Sequence, residues 1–107
     1  MTWYETIIAA HTAVTDAVSH GRRMKSSRYF VWQEDGANDL EGDDAHAERA
    51  MTGTTDLFTK EEFDPWAEAL GESFDGFGIS WYLSSVQYEE DTGFWHHEWV
   101  WEVLVSG

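Results

Sequence analysis

The sequence contains no cysteine and a single proline, Pro65, among 107 residues. The lack of cysteine excludes disulfides, thiolate catalysis and thiolate metal sites, and it is typical of a cytosolic protein. No apolar run approaches the roughly 18 residues that a membrane-spanning helix needs, and no basic stretch precedes an apolar one near the N-terminus. We therefore expect neither export nor membrane insertion.

Positive charge is also scarce, with six Lys and Arg against 21 Asp and Glu, for a net charge of −15. A field of this sign repels nucleic acid and anionic lipid. Four of the six bases fall together and form what we call the basic spot: Arg22, Arg23, Lys25 and Arg28. The segment 34–48 instead holds seven acids and no Lys or Arg. This asymmetry favours head-to-tail contact between copies of the chain.

Aromatic residues, in contrast, are abundant, with seven Trp, six Phe and four Tyr. Large aromatic side chains supply much apolar surface per residue, so a chain that is 42% apolar can build a core. The length fits one compact domain, which we place over residues 1–107.

The first half of the chain predicts one helix and two strands. Thr2 and Glu5 form a capping box, and apolar residues at helical spacing predict a helix from Trp3 to His20, with Gly21 as its stop. A strand over 28–33 and a solvated acidic loop, EDGANDLEGDD, follow. A weaker strand is predicted over 46–58, with Gly53 as a possible bulge.

The second half predicts a helix and a long hairpin. Asp64 and Pro65 suit the cap and first position of a helix that ends near Gly76, after a short turn begun by Thr59 and Glu62. Its buried face is predicted to hold Phe63, Trp66, Leu70 and Phe74. Two strand-like runs, ISWYLSSVQY and FWHHEWVWEVLV, are joined by EEDTG, where Asp91, Thr92 and Gly93 predict a short hairpin turn with one residue at positive φ.

Period-two alternation divides the last strand into two faces. One face is predicted to cover the helices, and its members are Trp95, His97, Trp99, Trp101, Val103 and Val105. The other face is mixed and could accept another subunit through Phe94 and Val100. The sequence thus predicts an α+β fold of order α-β-β-α-β-β, with an antiparallel sheet against two amphipathic helices. The predicted core comprises Trp3, Ile7, Val14, Trp66, Leu70, Trp81, Trp99 and Trp101.

No pattern in the sequence indicates catalysis, a metal or a cofactor. His96 and His97 are adjacent on a strand and so point to opposite faces, whereas a closed zinc site needs four converging ligands. Acidic pairs such as Glu61 and Glu62 lie at a helix start, where capping explains them. No nucleophile elbow, phosphate-binding loop or HExxH motif is present. We expect a protein that is not an enzyme and has no catalytic residues, metal or cofactor.

Four segments between positions 29 and 103 resemble a family of small siphophage and prophage proteins. The segments are YFVWQEDGANDL, GTTDLFTK with FDPW after it, SVQYEEDTG and HHEWVWEV. The family is that of the tail terminators, also called tail-completion or head-tail joining proteins. The resemblance implies an α/β fold and a hexameric ring that caps the tail tube, contacts the major tail protein and a head-closure protein, and passes DNA without binding it specifically. It implies a place in the virion tail, assembled in the bacterial cytoplasm.

Charge predicts how such copies could meet. The basic spot of one copy could contact the acidic loop of its neighbour, at Asp39, Glu41, Asp43 and Asp44. An alternative function fits the same composition: an acidic DNA mimic that inhibits a host restriction or CRISPR nuclease. Self-association distinguishes the two, because the mimic needs no ring.

Overall fold

The computed structural model describes residues 1–39 and 49–105, with the backbone alone at positions 38 and 39. Two helices pack against a five-stranded sheet, which confirms the predicted α+β class. The elements are α1 (Trp3–Thr12), β1 (Val18–His20), β2 (Arg28–Asp39), β3 (Arg49–Thr59), α2 (Pro65–Gly76), β4 (Ser80–Glu89) and β5 (Phe94–Val105). The strand order across the sheet is β1-β2-β3-β5-β4.

The first helix begins as predicted and ends early. The Thr2 hydroxyl accepts a hydrogen bond from the Glu5 amide, and the Glu5 carboxylate accepts one from the Thr2 amide, which completes the capping box. The helix stops at Thr12, so the prediction of a helix through His20 was wrong. Residues 13–20 include Val14, Thr15, Asp16 and Val18, residue types that form turns and strands more readily than helices. The Thr15 hydroxyl accepts from the Ala17 amide in such a turn.

The segment that was expected to extend the helix instead forms the short strand β1. It pairs in parallel with β2, with Val18 opposite Phe30 and His20 opposite Trp32, so the sheet is mixed and not wholly antiparallel as predicted. The other pairs, β2 with β3, β3 with β5 and β4 with β5, are antiparallel. Gly21, at φ 73°, ends β1 and not a helix.

Strand β2 continues through the first half of the predicted acidic loop to Asp39. Its partner β3 begins at Arg49 within the described residues; the predicted strand start at 46 lies outside them. The bulge between these strands falls on β2, at Asp35, and not at Gly53. Gly53 has a different role, because a Cβ there would lie 2.4 Å from both the Trp101 ring and the Gln33 carbonyl oxygen.

The second helix starts at Pro65 with Asp64 as its cap, as predicted. The Asp64 carboxylate accepts from the Trp66 amide at 2.9 Å and from Nε of Arg28 at 2.8 Å, and Nη2 of Arg28 donates to its other oxygen. Arg28 also lies over the Trp66 ring, 3.7 Å from its centroid. Burial alone would raise the Asp64 pKa, but hydrogen bonds from Arg28, the Trp66 amide and Thr59 outweigh it and hold that pKa below its ordinary value.

One residue of the predicted helix face is misplaced. Phe63 is 88% exposed, whereas Leu70 and Phe74 are buried and Trp66 is partly buried against the core. Phe63 precedes the cap Asp64 and therefore lies outside the helical period that places the other three side chains.

The hairpin of β4 and β5 turns at Gly93, which has a φ of 77° as expected. The predicted alternation holds in β5, where His97, Trp99, Trp101 and Val103 are buried. Of the other predicted core residues, Ile7 and Leu70 are also fully buried, and four are partly buried against the core: Trp3, Val14, Trp66 and Trp81.

A hydrogen-bonded chain of three side chains crosses the core between α1 and the sheet. The Ile7 carbonyl can only accept, so Nδ1 of buried His11 carries the proton and donates to it at 2.7 Å. Nε2 of His11 must then accept from the Thr55 hydroxyl at 2.9 Å, and Nε1 of Trp101 donates to that hydroxyl oxygen at 3.0 Å. Burial lowers the His11 pKa to about 4, so the ring is neutral at pH 7.

The opposite face of the sheet carries a second, smaller apolar cluster. Tyr29, Val31 and Phe58 are buried there, with Ala17 and Phe94 packed against them. The loop 21–27 crosses this face, because the Arg23 guanidinium lies 4.0 Å from the centroid of the Phe58 ring. The sheet is therefore apolar on both sides near the β1 to β2 connection.

Candidate assembly surfaces

The structure divides the basic spot into two parts. Arg28 is paired with Asp64, and Arg23 is held by Tyr29, Glu89 and the Phe58 ring, so both are used within the chain. Arg22 and Lys25 are exposed, and neither has an ion pair within the described ranges 1–39 and 49–105. Only these two bases of the spot are available to a neighbour.

The predicted partners of the basic spot are Asp39, Glu41, Asp43 and Asp44. Glu41, Asp43 and Asp44 lie outside the described residues, as does the side chain of Asp39. Two acidic residues earlier in β2, Glu34 and Asp35, are described and are exposed. Glu34 accepts a hydrogen bond from His20 at 2.7 Å, and this bond lowers the Glu34 pKa.

Phe94 and Val100, predicted to form an interface, are both partly buried on the sheet face opposite the helices. Phe94 belongs to a group of aromatic rings covered by cations: Nζ of Lys60 lies 4.0 Å from its centroid and donates to the Thr92 carbonyl. His96 stacks on Phe58 at 4.4 Å. A hydrogen bond from Nε2 of His96 to Asp56, at 2.8 Å, raises the His96 pKa. The aromatic rings of this face are therefore partly covered by Lys60 and His96 of the same chain.

Strand β4 forms one edge of the sheet and leaves large side chains in solvent. The exposed residues of this strand are Tyr82, Leu83, Val86 and Tyr88. No charged side chain occurs from Ser80 to Tyr88, although edge strands are commonly protected by charge. A bulge at Ser84 divides the strand and gives it some protection. The edge is a candidate contact surface.

A cleft of about 290 Å³ opens between the start of α2 and β5, which we call the His97 cleft. Phe63, Pro65, Ala67 and His97 supply apolar surface, and Glu62 and Glu68 supply charge. His97 is only 6% exposed, and its Nε2 has no hydrogen-bond partner within the described part of the chain. Burial lowers the His97 pKa, so its ring is neutral near pH 7.

Clusters of metal ligands and membrane-spanning helices are both absent from the described residues. Among them, no group of three or more His, Asp and Glu side chains is arranged to hold a metal ion. In the same ranges, no helix is long and apolar enough to cross a membrane.

Sequence reasoning did not find the His97 cleft. His97 was assigned correctly to the buried face of β5, which was expected to cover the helices, and no opening beside it was predicted. The signal was Phe63 immediately before the Asp64-Pro65 start, since a residue preceding a helix cap need not share the helix's apolar face.

Comparison with known proteins gives a likeness of fold alone. No family model matches the sequence, and no curated protein matches it. The structure is similar to that of a chain from the virion of a native gene transfer agent particle. That similarity covers 99% of this chain and 92% of the other, with a TM-score of 0.55 and 13% sequence identity.

Proposed function

We propose that this protein is a structural component of a phage-like virion, of the tail-terminator type, and not an enzyme. The observation that carries the proposal is the fold shared with a virion chain over nearly the full length of both. The match covers 99% of this chain and 92% of the other, so it extends over the whole described fold and not over a single motif.

The proposed assembly is a hexameric ring at the end of the tail tube, between the major tail protein and a head-closure protein. Copies with a net charge of −15 each would surround the channel with negative potential. DNA phosphates are repelled by such a lining, so the genome passes without sticking. The protein would reach the virion tail after assembly in the bacterial cytoplasm.

A direct test mixes the purified chain with tubes of the major tail protein encoded beside it. We expect ring-shaped density at the tube end by electron microscopy and hexamers by native mass spectrometry. The control is the same tubes incubated without the chain, and their ends should stay bare.

The alternative function, an acidic DNA mimic, is favoured by the net charge alone. It predicts a monomer or dimer that binds a basic restriction or CRISPR nuclease and competes with its DNA. Nuclease inhibition together with bare tube ends would overturn the tail-terminator proposal.

A further inference from the structure

The His97 cleft has the properties of a docking site, because it combines exposed apolar surface with an unsatisfied buried polar atom. Phe63, at its rim, is 88% exposed, the largest exposed fraction among the large apolar side chains that the structure describes. Nε2 of His97 is buried without a partner in the described ranges, and a buried polar atom without a partner is uncommon in a native fold. Val86 lies directly across the strand from His97, so the apolar area continues onto β4.

The charges around the cleft define what could occupy it. Glu62 and Glu68 are exposed at its rim, whereas Asp64 is neutralised by Arg28. The complementary ligand is an apolar side chain flanked by cations, with a backbone or side-chain polar group close enough to reach His97.

The chain itself carries a segment of this kind in the loop 21–27. Met24 is an exposed apolar side chain, with Arg22 on one side and Lys25 on the other. Methionine is flexible and adapts to irregular apolar clefts. Arg23, between them, is anchored on the chain's own Phe58 ring and fixes where the loop lies.

The loop and the cleft lie on opposite faces of the sheet. Arg23 lies over Phe58 in the second cluster, while His97 faces the helix side next to α2. A loop on one face does not fill a cleft on the other face of the same sheet. Two different complementary surfaces on opposite sides of one subunit are what a head-to-tail contact requires.

We propose that Met24 of one copy docks in the His97 cleft of the next, with Arg22 and Lys25 against Glu62 and Glu68. This contact rests on the proposed ring. In it, the two exposed bases of the basic spot meet Glu62 and Glu68 in place of the acidic residues predicted between positions 39 and 44. The cleft is small, so the contact acts as an anchor inside a larger interface, which must reach about 1,000 Å² to be specific.

A charge exchange tests the pairing. Lys25→Glu and Glu68→Lys should each weaken self-association about tenfold or more at low salt, because each places like charges together. The double variant, which restores opposite charges, should recover most of the loss. The readout is sedimentation velocity of the full chain, with and without tail tubes, and circular dichroism checks that each variant is folded.

Cross-linking gives a second measurement that does not depend on affinity. The chain has no cysteine, so Met24→Cys and Phe63→Cys introduce two defined thiols. Mixed copies, one bearing each change, should form heterodimers through a short bis-maleimide. Met24→Cys mixed with Tyr4→Cys is the matched control, since Tyr4 is exposed on α1 and does not line the cleft, and it should cross-link at background level.

The outcomes separate the two proposals. Charge rescue and selective cross-linking support the contact. If wild-type copies assemble on tubes while the double variant stays as weak as the single ones, the contact is overturned and the ring stands. If wild type neither self-associates nor binds tubes, both proposals fail.

Discussion

Nε2 of His11 and the hydroxyl of Thr55 meet at 2.9 Å in the interior, between the first helix and the middle strand of the sheet. Because Thr55 also accepts from Trp101, one hydroxyl fixes the orientation of two buried rings. This junction sets the position of α1 on the sheet.

Replacing Thr55 by valine should therefore lower stability substantially. The shape is kept, but His11 and Trp101 each lose a partner, and an unsatisfied buried polar atom costs about 1–3 kcal/mol. We expect the free energy of unfolding to fall by about 2 kcal/mol or more in urea titrations. Thr54→Val, at the half-buried neighbouring position on the other face, is the control and should change little. Equal effects of the two changes would contradict the role of the buried hydroxyl.

The same junction predicts a loss of stability in mild acid. The His11 pKa is about 4 in the folded protein against an ordinary 6.5, so the unfolded chain binds the extra proton between these values. Its contribution is complete above pH 6.5 and is lost as the pH falls toward 4, by about 3 kcal/mol in total.

NMR titration of the histidine ring protons checks this directly. The His11 signal should not shift until the pH approaches 4, whereas His96, whose pKa is raised by Asp56, should titrate above 6.5. The His96 pair acts in the opposite sense on stability, since its contribution is present at low pH and is lost as the pH rises through its folded pKa. A His11 midpoint near 6.5 would refute the buried, neutral assignment.

Gly53→Ala should destabilise the fold although glycine in a strand is usually unfavourable. The added methyl group would lie 2.4 Å from the Trp101 ring and from the Gln33 carbonyl, and neither can move freely in the core. Overpacking of this kind costs about 1–3 kcal/mol. Gly76→Ala provides the comparison, because nothing lies within 4 Å of a Cβ there and it ends a helix. Thermal unfolding should separate the two variants clearly.

Asp64→Ala should cost more than Asp64→Asn. Alanine removes both the helix cap, worth about 1 kcal/mol, and the partner of Arg28, whereas asparagine is itself a good cap. The side chain of Arg28 is one-third exposed, so solvent reduces the penalty of losing the pair. Glu61→Ala, an exposed change nearby, should stay within about 0.5 kcal/mol. Denaturant midpoints of the three variants rank these contributions.

Local signals predicted several elements well. The Thr2 and Glu5 box, the Asp64-Pro65 start and the turn at Gly93 each depend on neighbouring residues alone, and each is present in the structure. The alternation in β5 was equally readable, because large rings at every second position require one buried face.

Features that depend on distant residues were not predictable in the same way. Val14 and Val18 continue the spacing of α1, yet they reach the core from a turn and from the parallel strand β1. Strand β2 extends into acidic sequence because backbone pairing with β3 supports it, and such pairing leaves no apolar pattern. The roles of His11 and Thr55 arise only when residues 44 positions apart meet.

The described fold measures 49 × 23 × 21 Å, so each copy is elongated and about twice as long as it is wide. In a closed ring of such elongated subunits, the tilt of each long axis relative to the ring axis decides the diameter of the opening. Subunits whose long axes run parallel to the ring axis enclose a narrower opening than subunits whose long axes run along the circumference. In the proposed ring, the angle between neighbouring subunits would therefore also set the diameter of the channel.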